Sequence, residues 1–362
     1  MSAGAARLRG DVAGSASRPP ATRLPVTCTG KVRVALDQSD TGATMRRLSL
    51  LLFLIAVVTA PLTAAAQSRV GVLLYGTPAT DPNFASFRAG LADLGYVEGR
   101  NILLEIRGAE GKPERLPDLA RELVGLKPNL IYALGGDVAP SIKSATSTIP
   151  IVVSVSLDPV QAGLVGGLAR PGGNITGVTL VSSDLAAKRL QFLKETAPAI
   201  SRVAVLWNPA HPDFEYKETL VAGQRLGVAV QSLEVGNVGD FDAAFRAAAA
   251  ARAEAIIVAS SRQMLLNRQQ ITDLAARHRI LLVSGWGPWA ESGALLSYGP
   301  DLNAIIRSSA IHVDKILKGA KPGELPFEQP TKFDLVINLR TARAFGLTIP
   351  QSLAARADKV IE

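Results

Sequence analysis

Residues Ser154–Thr179 read S-V-S-L-D-P-V-Q-A-G-L-V-G-G-L-A-R-P-G-G-N-I-T-G-V-T, and they join a strand end to a glycine-rich loop. The hydrophobic run Ile151–Val155 leads directly into polar Ser156 and Asp158, and Arg170–Asn174 then interrupts all regular structure. Ligands of open α/β sheets bind outside the carboxyl ends of strands, and small loop residues often absorb domain closure. The stretch therefore indicates either a hinge beside a cleft or an ordinary glycine-rich loop within one large domain.

Apolar runs alternate with helical patterns on both sides of this stretch. Short apolar runs bounded by turn residues are typical of strands buried on both faces of a parallel sheet. The predicted strands span 69–76, 101–107, 130–134 and 151–155 in the first half, and 202–207, 228–235, 255–259, 280–284 and 294–298 in the second. A long helix over 301–317 follows the last of them. This order predicts an α/β fold with two Rossmann-like, doubly wound parallel-sheet lobes joined by a hinge.

The segment 45–66 has the organisation of a secretory signal peptide. An arginine pair after Met45 is followed by an apolar run over 48–58 and a small-residue site that ends at Ala66. The run is too short for a membrane span, which takes about 20 apolar residues. We expect cleavage after Ala66 and export to the periplasm, without a lipid anchor because no cysteine follows the site. Residues 1–44 are interpreted as non-native sequence ahead of the true start or as a disordered extension.

Composition and motif content exclude several classes of protein. The net charge is +8, but eight Lys/Arg and three Asp/Glu fall in residues 1–66, so the remainder is nearly neutral and nucleic-acid binding is not indicated. Cys28, the one cysteine, precedes the predicted cleavage site, which leaves neither a disulfide nor a cysteine zinc site. Dinucleotide, P-loop and nucleophile-elbow motifs are missing, and His211, His278 and His312 have no acidic neighbour at ligand spacing. The sequence therefore predicts no catalytic residue, no metal and no cofactor.

Polar and aromatic residues recur where the predicted strands end. The candidate ligand-binding residues are Tyr75, Asp81, Gly136, Asp137, Ser156, Asp158, Asn208, Ser260, Trp286 and Tyr298. Strand ends converge on one edge of a parallel sheet, and a small-ligand site needs apolar or aromatic walls with a few fixed polar groups. The glycine pair at 135–136 stands at a predicted helix start, where backbone N–H groups can approach an anion. Each residue also has a structural interpretation: Asp158, before a proline, can form a turn, and Trp286 can be a core aromatic.

Four stretches carry a resemblance to a known family. They are F-R-A-G-L-A-D-L-G-Y-V-E-G-R-N (Phe87–Asn101), D-P-V-Q-A-G-L-V-G-G-L-A-R-P-G-G-N-I-T-G-V (Asp158–Val178), V-L-W-N-P (Val205–Pro209) and the tail Gln329–Glu362. The chain after residue 68 resembles the periplasmic substrate-binding proteins of ABC transporters, in the family related to tryptophan-binding transport proteins. The resemblance implies the type I periplasmic-binding-protein fold, with a ligand closed between two lobes that the chain crosses three times. It implies a first lobe over 69–175 and 299–325, a second over 178–298, and a hinge-side segment over 326–362.

One departure from the family concerns charge. The aromatic amino-acid binders that this chain resembles carry acidic residues at the positions matching Ala259–Arg262 and Gly285–Gly287, and this chain has none there. A buried ammonium group needs a paired carboxylate. The departure favours a neutral or anionic ligand with an apolar or aromatic body over a free amino acid, unless Asp137 or Asp158 substitutes.

Together these features predict a monomeric, non-enzymatic periplasmic receptor for a small solute, which it delivers to the permease and ATPase components of an ABC transporter. Two alternatives share the fold. One is a ligand-sensing domain, against which the signal peptide and the missing helix-turn-helix argue. The other is a periplasmic enzyme, against which the missing catalytic motifs argue.

Overall fold

The computed structural model of the chain describes residues 67–212 and 214–362. The predicted extension over 1–44, which includes Cys28, and the predicted signal peptide over 45–66 lie outside the described residues. Across the two described ranges, every helix is too short or too polar to cross a membrane.

The first lobe is built on a five-stranded parallel sheet with the order β2-β1-β3-β4-β5. The strands are β1 (Ser68–Leu74), β2 (Ile102–Gly108), β3 (Leu130–Leu134), β4 (Ile151–Val155) and β5 (Ile175–Thr179). Between them lie α1 (Pro82–Asp93), α2 (Leu116–Gly125) and α3 (Ala139–Ala145). Every residue of β3 and β4 is buried, as the continuous apolar runs predict for strands covered on both faces.

The second lobe is built on a seven-stranded sheet with the order β12-β11-β10-β9-β8-β6-β7. The strands are β6 (Arg202–Trp207), β7 (Ala229–Glu234), β8 (Ala255–Val258), β9 (Leu281–Ser284), β10 (Leu296–Gly299), β11 (Asp334–Asn338) and β12 (Lys359–Ile361). The remaining helices are α4 (Ala186–Thr196), α5 (Glu215–Leu226), α6 (Phe241–Ala250), α7 (Arg262–Leu266), α8 (Arg268–His278), α9 (Gly287–Glu291), α10 (Leu302–Leu317), α11 (Leu339–Ala344) and α12 (Gln351–Ala354). Both sheets carry helices on two faces, and the predicted α/β class is confirmed.

The last two strands of the second sheet were not predicted. The predicted strand series ends at Tyr298, but β11 pairs antiparallel with β10 and β12 pairs parallel with β11. The sequence of β11, D-L-V-I-N, has only three apolar residues between polar ends. That pattern is too short to identify a strand without knowing its partner. The segment after residue 326 thus supplies one edge of the second sheet.

Helix α10 returns from the second lobe to cover the first sheet. It packs against α1 and against β3, β4 and β5. Its apolar residues Ile306, Ala310 and Val313 share a buried cluster with Phe87 and Tyr132, whose rings stack 3.7 Å apart. A helix that follows β10 of the second sheet therefore completes the core of the first lobe.

The chain passes between the lobes at three places: 180–182, 300–301 and 326–333. The third lies along β5, where Glu328 N donates to Gly177 O at 2.9 Å. The glycine-rich loop at 170–174 is not a crossing, because it joins β4 to β5 within one sheet. The interpretation of this loop as the hinge was wrong: its left-handed Gly172 and Gly173 lie in the long connection that leads from β4 into β5. At the first crossing Val181 has φ +46°, a strained value for a β-branched residue.

Candidate functional site

The site is a cleft where the carboxyl ends of the two sheets face each other. On the first lobe its wall comes from the loops after β1, β3 and β4, and on the second from those after β6, β8 and β9. The residual cavity has a volume of about 10 Å³, and its apolar lining includes Leu180, Trp286, Leu302 and Ile306. A cavity of that size holds one water molecule. A solute bound with the lobes closed must therefore displace one of the side chains that line this cavity.

Arg262 reaches from the second lobe into the first. It is the first residue of α7, and the helix is capped by Ser261, whose Oγ accepts a hydrogen bond from Met264 N at 3.2 Å. The guanidinium donates to Asp81 Oδ2 and to Asn83 Oδ1, and only 5% of the Arg262 side chain is exposed. Asp81 is itself fixed as the N-cap of α1, because its Oδ1 accepts from the Asn83 and Phe84 amides. The result is a buried ion pair across the cleft.

His211 makes a second connection between the lobes. It follows β6, and its Nδ1 lies 2.7 Å from Asp137 Oδ1, while Nε2 lies 3.1 Å from Ser156 Oγ. Asp137 and Ser156 both belong to the first lobe, and all three side chains are buried. The arrangement has the connectivity of a Ser-His-Asp triad, but it is assembled from two lobes around a cavity for one water molecule. Its evident physical effect is to hold the lobes together.

The pKa of the Asp137 carboxyl is lowered from its ordinary value. Burial alone would raise it, but the neighbouring His211, the hydrogen bond from the Arg262 amide and the Arg262 charge outweigh that cost. The Arg262 N to Asp137 Oδ2 distance is 2.8 Å. Asp137 is therefore a charged acceptor that binds two groups of the opposite lobe.

A buried ion pair supports the wall of the second lobe. Arg189 of α4 and Glu215 of α5 are fully buried, with 2.7 Å between Nη1 and Oε2. Glu215 Oε1 accepts the Ser260 amide at 2.9 Å, and Arg189 Nε donates to Tyr298 O at 3.0 Å. The pair thus fixes the ends of β8 and β10. Sequence reasoning missed it, because the partners lie on different helices and neither stands at a strand end.

Several polar atoms at the cleft and in the second lobe behind it are buried without a hydrogen-bond partner among the described residues. They are Trp286 Nε1, Arg262 Nε, Ser260 Oγ, Gln263 Nε2 and Arg189 Nη2. Four of these five can only donate, and Trp286 and Arg262 line the same cavity. Buried donors are ordinarily satisfied, so the cleft is suited to a ligand that supplies acceptor oxygens.

The structure places the ten predicted ligand-binding residues in two groups. Asp81, Gly136, Asp137, Ser156 and Trp286 contribute to the cleft or its contacts between the lobes, and Ser260 belongs to the wall that the Arg189–Glu215 pair supports. The other four have local partners: Tyr75, Asp158, Asn208 and Tyr298. Ligand contact at any of them remains a prediction.

The local partners of the second group are well defined. Tyr75 donates its hydroxyl to Gly111 O at 3.3 Å, and burial first, then the Asp137 charge, raises its pKa. Asp158 accepts from the amides of the turn that it begins, at 2.7 Å from Val160 N. Asn208 donates to Gln263 Oε1 at 2.5 Å, and the Tyr298 ring packs edge-on against Phe192.

Two residues that dominate the geometry of the cleft, Arg262 and His211, were not among the predicted ligand-binding residues. Arg262 had a weak signal, since it follows a predicted strand and two serines at the start of a helix. His211 had none, because its partners Asp137 and Ser156 are distant in sequence and become neighbours only through the two-lobed fold.

Two α/β lobes with three connections and a cleft at their strand ends define a bilobal solute-binding protein. The profile of the family described as "ABC transporter substrate binding protein" matches residues 70–361, and the chain belongs to that family. The family consists of binding proteins and not of enzymes. The predicted two-lobed type I fold and the predicted family are thereby confirmed.

Relatives and solved structures agree with this assignment. The "Tyrosine-binding protein" of Clostridioides difficile (strain R20291) is 24% identical over 300 residues, which cover 82% of this chain and 85% of that protein. A conserved domain protein from Vibrio cholerae is 28% identical with a TM-score of 0.76, and the match covers 81% of this chain and 99% of that one. An ABC domain from Streptococcus pneumonia, solved in complex with L-Trp, is 23% identical with a TM-score of 0.76, covering 82% and 100%.

Proposed function

We propose that this chain is a periplasmic receptor that captures a small solute between its lobes and delivers it to the permease and ATPase of an ABC transporter. The observation that carries the proposal is the cleft itself. Arg262 and His211 of the second lobe bind partners in the first, beside buried donors that lack acceptors. Membership of the substrate-binding family supports the transport role. Export follows from the predicted cleavage after Ala66.

Capture would work by closure about the three crossings. The closed form is held by the Arg262–Asp81 pair and by the bonds of His211 to Asp137 and Ser156. A solute shifts such an equilibrium only by its differential affinity for the two states. A solute that contacts both walls gains its full set of contacts only when the lobes close. The permease then has a distinct conformation to recognise.

The ligand that the cleft fits best is neutral or anionic with an apolar or aromatic body. Trp286, Leu302 and Ile306 offer apolar walls, and the unpartnered donors call for acceptor oxygens. By their names, one relative binds tyrosine and one neighbour was solved with L-Trp, which supports an aromatic body. The charge of the cleft argues for a carboxylate without the ammonium group.

The test is a thermal-shift screen of the mature protein against aromatic carboxylates, aliphatic carboxylates and amino acids, followed by small-angle scattering. We expect an aromatic carboxylate to raise the melting temperature and to reduce the radius of gyration. Ser260→Ala should weaken binding about tenfold, since one hydrogen bond is worth ~1–3 kcal/mol, and Trp286→Ala should weaken it more. Tight binding of tryptophan or phenylalanine that Trp286→Ala leaves unchanged would contradict the ligand class. A solute that binds in the cleft without compaction would contradict the closure mechanism.

A further inference from the structure

We propose that Arg262 determines the charge class of the solute, because its guanidinium occupies the position opposite Asp81 in which a cationic group of a ligand would bind. Arg262 acts as a built-in cation that excludes ligand ammonium groups from the cleft. This inference rests on the proposed function, since it concerns which solutes the cleft admits.

Both oxygens of each of the two carboxylates, Asp81 and Asp137, already have a partner. Asp81 is completely buried; its Oδ1 accepts two amides of α1 and its Oδ2 accepts Arg262. Asp137 binds His211 through Oδ1 and the Arg262 amide through Oδ2. An ammonium group entering the cleft would have to displace one of these partners. A buried ammonium without a carboxylate is strongly disfavoured.

Gly135 of the first lobe leaves space for the Arg262 side chain. Gly135 has φ +122°, and a Cβ at that position would lie 2.5 Å from Arg262 Cγ. The backbone of Arg262 is fixed by Asp137, and the guanidinium by two acceptors of the first lobe. The side chain therefore sits in a shaped channel, and the Asp81 carboxylate at its end is the natural partner for any cation that replaces it.

The cleft still offers a ligand hydrogen-bond donors. Within 67–212 and 214–362, no residue accepts from Arg262 Nε or Trp286 Nε1, and both side chains line the same cavity. The Arg262 guanidinium balances the charge of Asp81 and still has its Nε–H free to donate to the solute. This donor favours carboxylate or carbonyl oxygens. Arg262 thus excludes cationic groups of a ligand and attracts anionic ones.

Replacing Arg262 removes its guanidinium and tests whether Asp81 then binds a cation from solution. Arg262→Ala and Arg262→Met are compared with wild type by calorimetry, using ethylguanidinium, phenethylammonium and 3-phenylpropionate as probes. Arg262→Met keeps the stem that contacts Gly135 and serves if the alanine variant does not fold. We expect both variants to bind the two cations at least about tenfold more tightly than wild type, as a charge-assisted hydrogen bond predicts. Binding of 3-phenylpropionate, where wild type shows it, should fall by a similar factor.

Two controls assign the gain to Asp81. Arg262→Lys keeps a cation in the cleft and should gain nothing, and the double variant Asp81→Asn, Arg262→Met should lose the gain. The inference is overturned if folded Arg262→Met does not gain cation binding, if the double variant binds the cations equally well, or if wild type binds phenethylammonium as tightly as Arg262→Met. The proposed function fails by a different result, namely that wild type binds no solute of the carboxylate and amino-acid screen. The gain of cation binding does not depend on that screen.

Discussion

Adding one methyl group at Gly136 should hold the two lobes apart. A Cβ at this position would lie 2.5 Å from His211 Cε1 of the second lobe and 2.7 Å from Leu157 Cδ2 of the first. Leu157 can adjust, but His211 is held between Asp137 and Ser156 at 2.7 and 3.1 Å. The backbone of Gly136 does not have a positive φ, so alanine is compatible with it. The clash is therefore with the opposite lobe and is relieved by opening.

The size of the effect follows from the cost of overpacking. Inserting a methyl group into a packed contact costs about 1–3 kcal/mol. Because opening relieves the clash, this cost weakens the closed state relative to the open state and leaves the folded state largely unchanged. A factor of ten corresponds to about 1.4 kcal/mol. Gly136→Ala should thus lower the closed-to-open ratio, and the affinity for any solute that requires closure, by roughly 5- to 150-fold.

The assay is a distance measurement between spin labels, one on each lobe. The mature chain predicted here lacks cysteine, so Glu114→Cys and Glu218→Cys, both at exposed positions, introduce the labelling sites. Gly125→Ala is the matched control, because a Cβ there meets no atom within 4 Å. We expect Gly136→Ala to shift the distance distribution to longer values and Gly125→Ala to leave it unchanged. A wild-type distribution in Gly136→Ala, with unchanged solute affinity, would refute the reasoning.

Three further predictions concern export, stability and pH. N-terminal sequencing of periplasmic protein should begin at Gln67; retention of the preceding residues in the mature protein would show that the cleavage prediction is wrong. Arg189→Met should lower the free energy of unfolding in urea by about 3–5 kcal/mol, because it leaves a buried charge unpaired, and the double variant with Glu215→Leu should recover much of it; equal losses in both would contradict this. The folded pKa of Asp137 lies below its unfolded value, so its contribution to stability is present above about pH 4 and is lost as pH falls through the folded pKa. Asp137→Asn should flatten the acid limb of the stability–pH curve, and an unchanged limb would count against the assignment.

Local sequence patterns identified most of the strands up to β10, in their order along the chain. The runs Ile151–Val155 and Arg202–Trp207 were predicted with the bounds that the structure has, because continuous apolar residues between turn signals have few other interpretations. The same reasoning misplaced the hinge. Gly172 and Gly173 mark flexible backbone in the sequence, whereas the crossing after β5 uses Val181, which gives no such signal.

The chemistry of the cleft was only partly accessible from sequence. The rule that strand ends converge selected Asp137 and Ser156, which the structure places at the cleft, and Ser260, which lies in the wall of the second lobe. Ligand contact at these residues stays a prediction. The rule cannot show that His211 joins two of these residues, or that Arg262 reaches Asp81 across the cleft. Those contacts are set by the relative placement of the lobes, which no local pattern encodes.

The return of α10 to the first lobe has a consequence for the newly made protein. All five strands of the first sheet exist once Thr179 has been synthesised, yet Tyr132 of β3 and Phe87 of α1 lack the α10 residues of their buried cluster until Leu302–Leu317 follows. Contacts between distant segments form slowly, since the intervening chain must first be closed into a loop. Apolar surface left open in that interval promotes aggregation. The nascent first lobe should therefore need a holding chaperone until the second lobe has been made, and a chain truncated before Leu302 should not yield a soluble domain.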